Sequence, residues 1–227
     1  MFHKTWTVLA AAISLAACSS AAASSGEDAA ALPTPGPVEH GHIIGWAGGD
    51  ATIYGTVGFF SPNPQIFAVG GVEPGGAFSV AYPAILPPDL LAKPAAQCST
   101  IQSSNPNVLT AFTGNDLIYQ HGVPAGAAHS GSSIGVASFR SIADGDTRTG
   151  YLYADQDTLQ TGFCDRTMTS GKYTLDFRQN FDLHLHKGWN RVVADFSTPQ
   201  PGHVVSDLKI GANPDEQFFF FKAMSQG

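Results

Sequence analysis

Two His-x-His pairs carry the sharpest chemistry in this chain. In an extended strand, residues two apart share a face, so His184 and His186 project together with Asp182 beside them. Two imidazoles and a carboxylate suit Zn²⁺. His40 and His42 form a second pair, which would complete such a site if an N-terminal strand lay alongside. The competing account is a polar outer face backing a buried Phe181/Leu183/Leu185 face, where histidine is an ordinary choice.

Three other groupings invite a chemical reading. Gly131-Ser132-Ser133-Ile134-Gly135 matches the Gly-x-Ser-x-Gly pattern of serine hydrolases, with Ser133 as the nucleophile. That motif needs a strand-to-helix elbow, whereas Val136 to Arg140 reads as strand, so a polar loop entering a strand is the better account. Asp144-Gly145-Asp146 and Asp155-Gln156-Asp157 set carboxylates in turns where Ca²⁺ could find oxygens, yet neither has EF-hand spacing. Asp-Gly is also plain turn chemistry. Trp46, Trp189 and the tyrosines could line a ligand groove, or serve as core and turn cover.

The three cysteines divide by position. Cys18 closes the run Leu15-Ala16-Ala17-Cys18, behind a weakly basic start (His3, Lys4) and an apolar stretch from Trp6 to Ala17. That stretch fits a signal-peptide core and falls short of the roughly 20 apolar residues a membrane span needs. Leu-small-small-Cys is the pattern cut by a lipoprotein signal peptidase, which predicts cleavage before Cys18 and lipid on its sulfur. Ordinary secretion with cleavage near Ala21-Ala22-Ala23 is the alternative. Each buried CH₂ of an acyl chain adds about 0.8 kcal/mol, so two or three chains anchor stably where one does not.

With Cys18 lipidated, Cys98 and Cys164 remain as a pair in an oxidising compartment, and a disulfide between them is expected. They stand 66 positions apart, for which loop entropy gives an upper figure of about 4 kcal/mol. Two free buried thiols are the alternative. A Cys₂ metal site is disfavoured because neither cysteine has another cysteine or a histidine close by in sequence.

These groups need elements to hold them, and composition says which. Charged residues are 13% of the chain, while Gly numbers 25 and Pro 15, a balance favouring strands joined by turns. The formal net charge is −7 and becomes more negative once Lys4 is removed. No basic cluster exists, so nucleic acid and anionic headgroups are poor partners. No segment after the signal is apolar for long enough to cross a membrane as a helix.

The organisation expected is a signal peptide over 1–17, a lipid-anchored Ser/Ala/Pro-rich linker over 18–41, and a folded domain over 42–227. The linker, disordered because it cannot bury enough surface to offset its ordering entropy, contains Leu32-Pro33-Thr34-Pro35-Gly36-Pro37. Beyond it, alternation marks strands around Ile53 to Phe59, Gln65 to Val69 and Phe78 to Tyr82, the last led in by Gly75-Gly76 and stopped by Pro83. Leu117 to Gln120, Ser133 to Arg140 and Gly150 to Ala154 read as further strands. Pro87 to Lys93 is the best helical candidate, stopped by Pro94.

Thr158 to Phe163 is expected to pair back on Tyr151-Leu152-Tyr153, and Tyr173 to Leu185 to form a hairpin with Trp189 to Phe196 through Lys187-Gly188. Val204 to Ile210 and Gln217 to Lys222 close the chain, the Phe218 to Phe221 run suiting a strand buried on both faces. About eleven or twelve strands with almost no helix predict an all-β domain, a β-sandwich of antiparallel strands with one short helix.

Several of these stretches resemble uncharacterised bacterial envelope lipoproteins of the Deinococcus type. The likeness rests on the lipid cysteine, Gly76-Ala77-Phe78 before the Pro83-ended strand, Cys98 after a short helix, Tyr151 to Asp155, Gly162-Phe163-Cys164, and Leu185 to Asn190. Residues 53–82 are also similar to transthyretin-like modules of surface proteins. Both resemblances imply a β-sandwich outside the cytosol, and neither implies a catalytic residue. The function expected is a lipid-anchored cell-envelope protein, attached to the membrane through Cys18, whose domain is structural or binds an envelope protein, a glycan or an ion without catalysing a reaction. An exported metal-dependent enzyme using His184 and His186 is the alternative.

Overall fold

A computed structural model describes residues 36–57, 65–94, 98–132, 142–170 and 173–222, all within the compact unit Pro33–Gly227. The expected signal peptide, Cys18, most of the linker, Ser133 and the strand from Ser133 to Arg140 lie outside the described residues. The domain is all-β. Among the described residues seven strands close into a barrel: β1 (Val38–Ile44), β2 (Ala51–Val57), β3 (Gln65–Val72), β4 (Ala77–Ala81), β7 (Asp116–Gln120), β8 (Val123–Gly131) and β14 (Gln217–Lys222). Seven more form a second sheet: β5 (Gln102–Ser103), β6 (Thr110–Phe112), β9 (Thr147–Ala154), β10 (Thr158–Ser170), β11 (Tyr173–Leu185), β12 (Gly188–Gln200) and β13 (His203–Ile210).

The barrel replaces the expected sandwich. Its order is β1-β14-β8-β7-β2-β3-β4, and β1 closes the ring by pairing antiparallel with β4 and parallel with β14. Closure removes the exposed edges that an open sheet must protect. Within it, Ile43, Ile53, Val72, Phe78, Val80, Ile118, Ala128 and Phe218 make one buried cluster. Alternation is clean in β4, where Phe78 and Val80 point inward between exposed neighbours. Strand β14 buries Phe218, while Phe219, Phe220 and Phe221 are only partly covered, so the expected two-sided burial is incomplete.

β1 starts before the expected boundary at His42, inside the segment read as linker. Its inward positions are Glu39, Gly41 and Ile43, a set without apolar alternation. Gly41 is required by packing, because a Cβ there would come within 3.0 Å of the Phe218 ring. The Gly75-Gly76 turn forms as expected, both glycines at positive φ, and a Cβ on Gly76 would stand 2.7 Å from the Ile43 carbonyl oxygen.

The second sheet has the order β5-β10-β11-β13-β12-β9-β6, which corrects both expected hairpins. β10 pairs with β11 and β5, leaving β9 to pair with β12 and β6. β13 inserts between β11 and β12, parallel to the first and antiparallel to the second. The short links at 155–157 and 186–187 therefore cross between two layers of a curled sheet. Packing gives the reason: Leu183 and Leu185 on β11 and Leu152, Ala154 and Val192 on β9 and β12 belong to one buried cluster. A flat hairpin would place these groups side by side in one layer instead of across a core. Each such leucine or valine contributes about 1.5–3 kcal/mol when fully buried, enough for packing to override local turn preference.

The helical candidate also shortens. Only Pro88–Leu90 forms a turn of 3-10 helix, and Leu91 is already extended at φ −101°, ψ 146°. Ala92 then exchanges backbone hydrogen bonds with Thr110 at 2.9 and 2.8 Å. Pro94 disfavours helix at the residue before it, and the bridge to Thr110 holds the chain extended instead.

Candidate functional site

Cys98 and Cys164 meet at the edge of the curled sheet. The segment leading into β5 runs against β10, with Gln102 opposite Thr161 and Ser103 opposite Gln160. The approach is close because residue 162 is glycine: it sits at φ +119°, and a Cβ there would run into the Thr100 carbonyl oxygen. Thr100 donates its hydroxyl to the Phe163 carbonyl, and the Cys98 thiol lies 3.5 Å from the same oxygen and 3.3 Å from the Thr100 hydroxyl. Cys164 follows directly and is buried at 5% exposure, with Cys98 half-buried. Arg166 reaches the Cys164 sulfur through Nε at 3.5 Å.

The two cysteines lie within hydrogen-bonding reach of each other. Their environments push them apart. Burial opposes the Cys98 thiolate, but hydrogen bonds from Cys164 and Thr100 and the Arg166 charge outweigh it, holding that thiol below its ordinary range. Burial foremost, with the hydrogen bond and charge of Cys98 added, raises Cys164 against the pull of Arg166. The accessible sulfur is thus the easier of the two to ionise, which is the arrangement that favours reaction at Cys98.

A groove of about 460 Å³ runs over β10, β11 and β13. Asp165, Arg166, Asp176, Arg178, His203 and Val204 are among its lining. Arg178 grips Asp165 through two hydrogen bonds of 2.7 Å and lies 4.5 Å over the Phe163 ring. His203 Nδ1 stands 3.6 Å from Asp176. Arg166 is common to the groove and the thiol pair.

A second concentration of ionisable groups is buried on and beside β1, β4, β7, β8 and β9. Tyr82 donates its hydroxyl to Glu39 at 2.5 Å, and Asp116, His129 and Arg148 are buried nearby in the same interior network. Burial raises the carboxyl of Glu39 although Tyr82 and Arg191 oppose it. Burial, then repulsion from Glu39, raises Asp116 well above the usual carboxylate range despite Arg148. Two carboxyls facing the same low-dielectric interior hold on to protons. Arg148 donates to Asn115 at 3.2 Å and to His129 Nδ1 at 3.0 Å. A ring nitrogen that accepts from a guanidinium belongs to a neutral imidazole, and burial followed by the Arg148 charge keeps His129 well below its ordinary range. Arg191 on β12 donates to Glu216 and to the Tyr151 hydroxyl. Nothing in the sequence marked this network, because Glu39 sat in the presumed linker and Asp116 and His129 occupy unpatterned stretches.

The other sequence-derived sites fare differently. Asp182, His184 and His186 share an exposed face as expected. They do not converge: among the described residues no three His, Cys, Asp or Glu side chains are grouped to hold a metal ion. His40 and His42 cannot complete a site there, since β1 lies in the barrel between β4 and β14. The turn carboxylates are spent on backbone. Asp146 accepts from Ala143 N at 2.7 Å, Asp155 from Leu109 N at 2.8 Å and Asp157 from Lys187 N at 2.6 Å. Asp144 accepts from Thr198 N at 3.3 Å.

The tryptophans pack instead of lining a groove. Trp46 is buried edge-on against Phe220, ring centroids 5.0 Å apart. Trp189 stacks on Phe67 at 5.4 Å, meets Tyr82 at 5.1 Å and Tyr153 at 5.2 Å. Compared with protein-family models, curated protein sequences and solved structures, the chain finds no match.

Proposed function

We propose that this chain is a lipoprotein of the cell envelope, cut before Cys18, lipidated there, and presenting its β-domain on a Ser/Ala/Pro-rich tether. The observation that carries the reading is Leu15-Ala16-Ala17-Cys18 at the end of an apolar run. The domain serves as a structural element or a binding surface for an envelope protein or glycan. The groove over β10, β11 and β13, with acidic and basic groups side by side, is the surface suited to a polar partner. Cys98 and Cys164 close as a disulfide in the oxidising compartment outside the cytosol. Support comes from their adjacency: Gly162 and Thr100 bring the two sulfurs together from distant parts of the chain. The resemblance to envelope lipoproteins points the same way.

Metabolic labelling with a fatty-acid analogue tests this reading. The native protein takes up label and runs as a processed form, and Cys18→Ser leaves an unlabelled precursor. A Cys18→Ser protein that is labelled and processed normally rejects it.

A further inference from the structure

We propose that Cys98 and Cys164 form a thiol–disulfide exchange site that takes disulfides of thiol compounds, with Cys98 the attacking sulfur and Cys164 the resolving one. The proposal deepens the reading of the two cysteines as an oxidisable pair and rests on it. Access decides the roles. An incoming disulfide must line up with the attacking sulfur along its S–S axis, and of the two residues Cys98 is the partly exposed one, Cys164 being buried at 5% exposure.

The electron count closes on these two residues and one disulfide, RSSR. The Cys98 thiolate attacks one sulfur of RSSR, forming Cys98–S–S–R and expelling RS⁻. Cys164 then gives up its proton to water and attacks the Cys98 sulfur, expelling the second RS⁻ and leaving the Cys98–Cys164 bond. The protein has lost two electrons and two protons, and RSSR has become two RSH. The reverse sequence, begun by a thiolate attacking the exposed Cys98 sulfur of the closed bond, reduces the pair. The local environment supports the assignment, since hydrogen bonds from Cys164 and Thr100 favour the Cys98 thiolate over that of its buried neighbour.

The test uses the mature lipoprotein, reduced and then exposed to glutathione disulfide, with adducts located by peptide mapping and intact mass. Cys164→Ser accumulates a stable glutathione adduct on Cys98. Cys98→Ser takes one up at least tenfold more slowly. Wild type passes through a transient adduct and ends two hydrogens lighter. Equal trapping by the two single variants overturns the assignment of attack to Cys98 while leaving the pair intact. Wild type that never loses two hydrogens overturns the pair itself. A readout free of substitutions is alkylation of the reduced wild type by iodoacetamide, which modifies Cys98 well before Cys164; the opposite order overturns the proposal.

Discussion

The indole N–H of Trp189 donates to the carbonyl oxygen of Pro83 at 2.7 Å, tying the start of β12 to the end of β4 across 106 residues of sequence. The same ring packs among Phe67, Tyr82, Tyr151 and Tyr153. It therefore joins barrel and curled sheet by both area and hydrogen bond. Trp189→Phe keeps most of the packing and leaves the Pro83 carbonyl without its donor, at a cost of about 1–3 kcal/mol. Trp189→Ala loses the ring as well and costs about 3–5 kcal/mol. Urea denaturation gives both values, and an alanine variant within 1 kcal/mol of wild type would show that the two sheets do not depend on this contact.

Gly162→Ala tests how the thiols are brought together. The new Cβ meets the Thr100 carbonyl oxygen at a backbone φ of +119°, where L side chains are strained by about 1–3 kcal/mol. Stability falls by that much, and the Cys98 segment lifts from β10, slowing closure of the disulfide. An alanine variant that oxidises at the wild-type rate would separate the glycine from the pairing.

Glu39 sets a pH dependence of one sign. Its carboxyl is raised by burial, so the folded chain keeps this proton to a higher pH than the unfolded chain does. Stability from this group is present below the unfolded value near 4.3 and is lost as pH rises above it. Glu39→Gln retains an oxygen for the Tyr82 hydroxyl and removes the titration. Its melting temperature relative to wild type climbs between pH 4 and pH 8. A difference constant with pH would place the proton elsewhere.

His129 has the opposite sign. Its pKa is depressed by burial and then by Arg148, so below about pH 6.5 the unfolded chain takes up a proton that the folded chain refuses. Stability is lost as pH falls through that range, with a slope approaching about 1.4 kcal/mol per pH unit. His129→Gln keeps an acceptor for Arg148 and flattens the slope between pH 6.5 and 5. Parallel profiles for the two proteins would contradict a neutral buried imidazole.

Strands with apolar alternation could be read directly: Ile53 and Val57 in β2, Phe78 and Val80 in β4, Leu183 and Leu185 in β11 are all buried. β1 could not, because its inward positions hold a protonatable Glu39 and a glycine that makes room for Phe218. β8 is equally silent, a run of Ala and Gly with Pro124 whose small side chains show no period. Pairing was misjudged where local turns suggested hairpins at 155–157 and 186–187, since long-range burial of Leu152, Leu183 and Val192 in one cluster decides the layers. At the candidate site, the kinship of Cys98 and Cys164 was legible by counting cysteines. Which of the two is open to solvent was not, because exposure depends on how β5 crosses β10.

Intact mass of the protein isolated from its native host, before and after reductant, bears most directly on the reading as an exported, tethered domain. The expected species begins at a lipid-modified Cys18 and gains two hydrogens on reduction. A full-length, unmodified chain of 227 residues whose mass reductant leaves unchanged would contradict it.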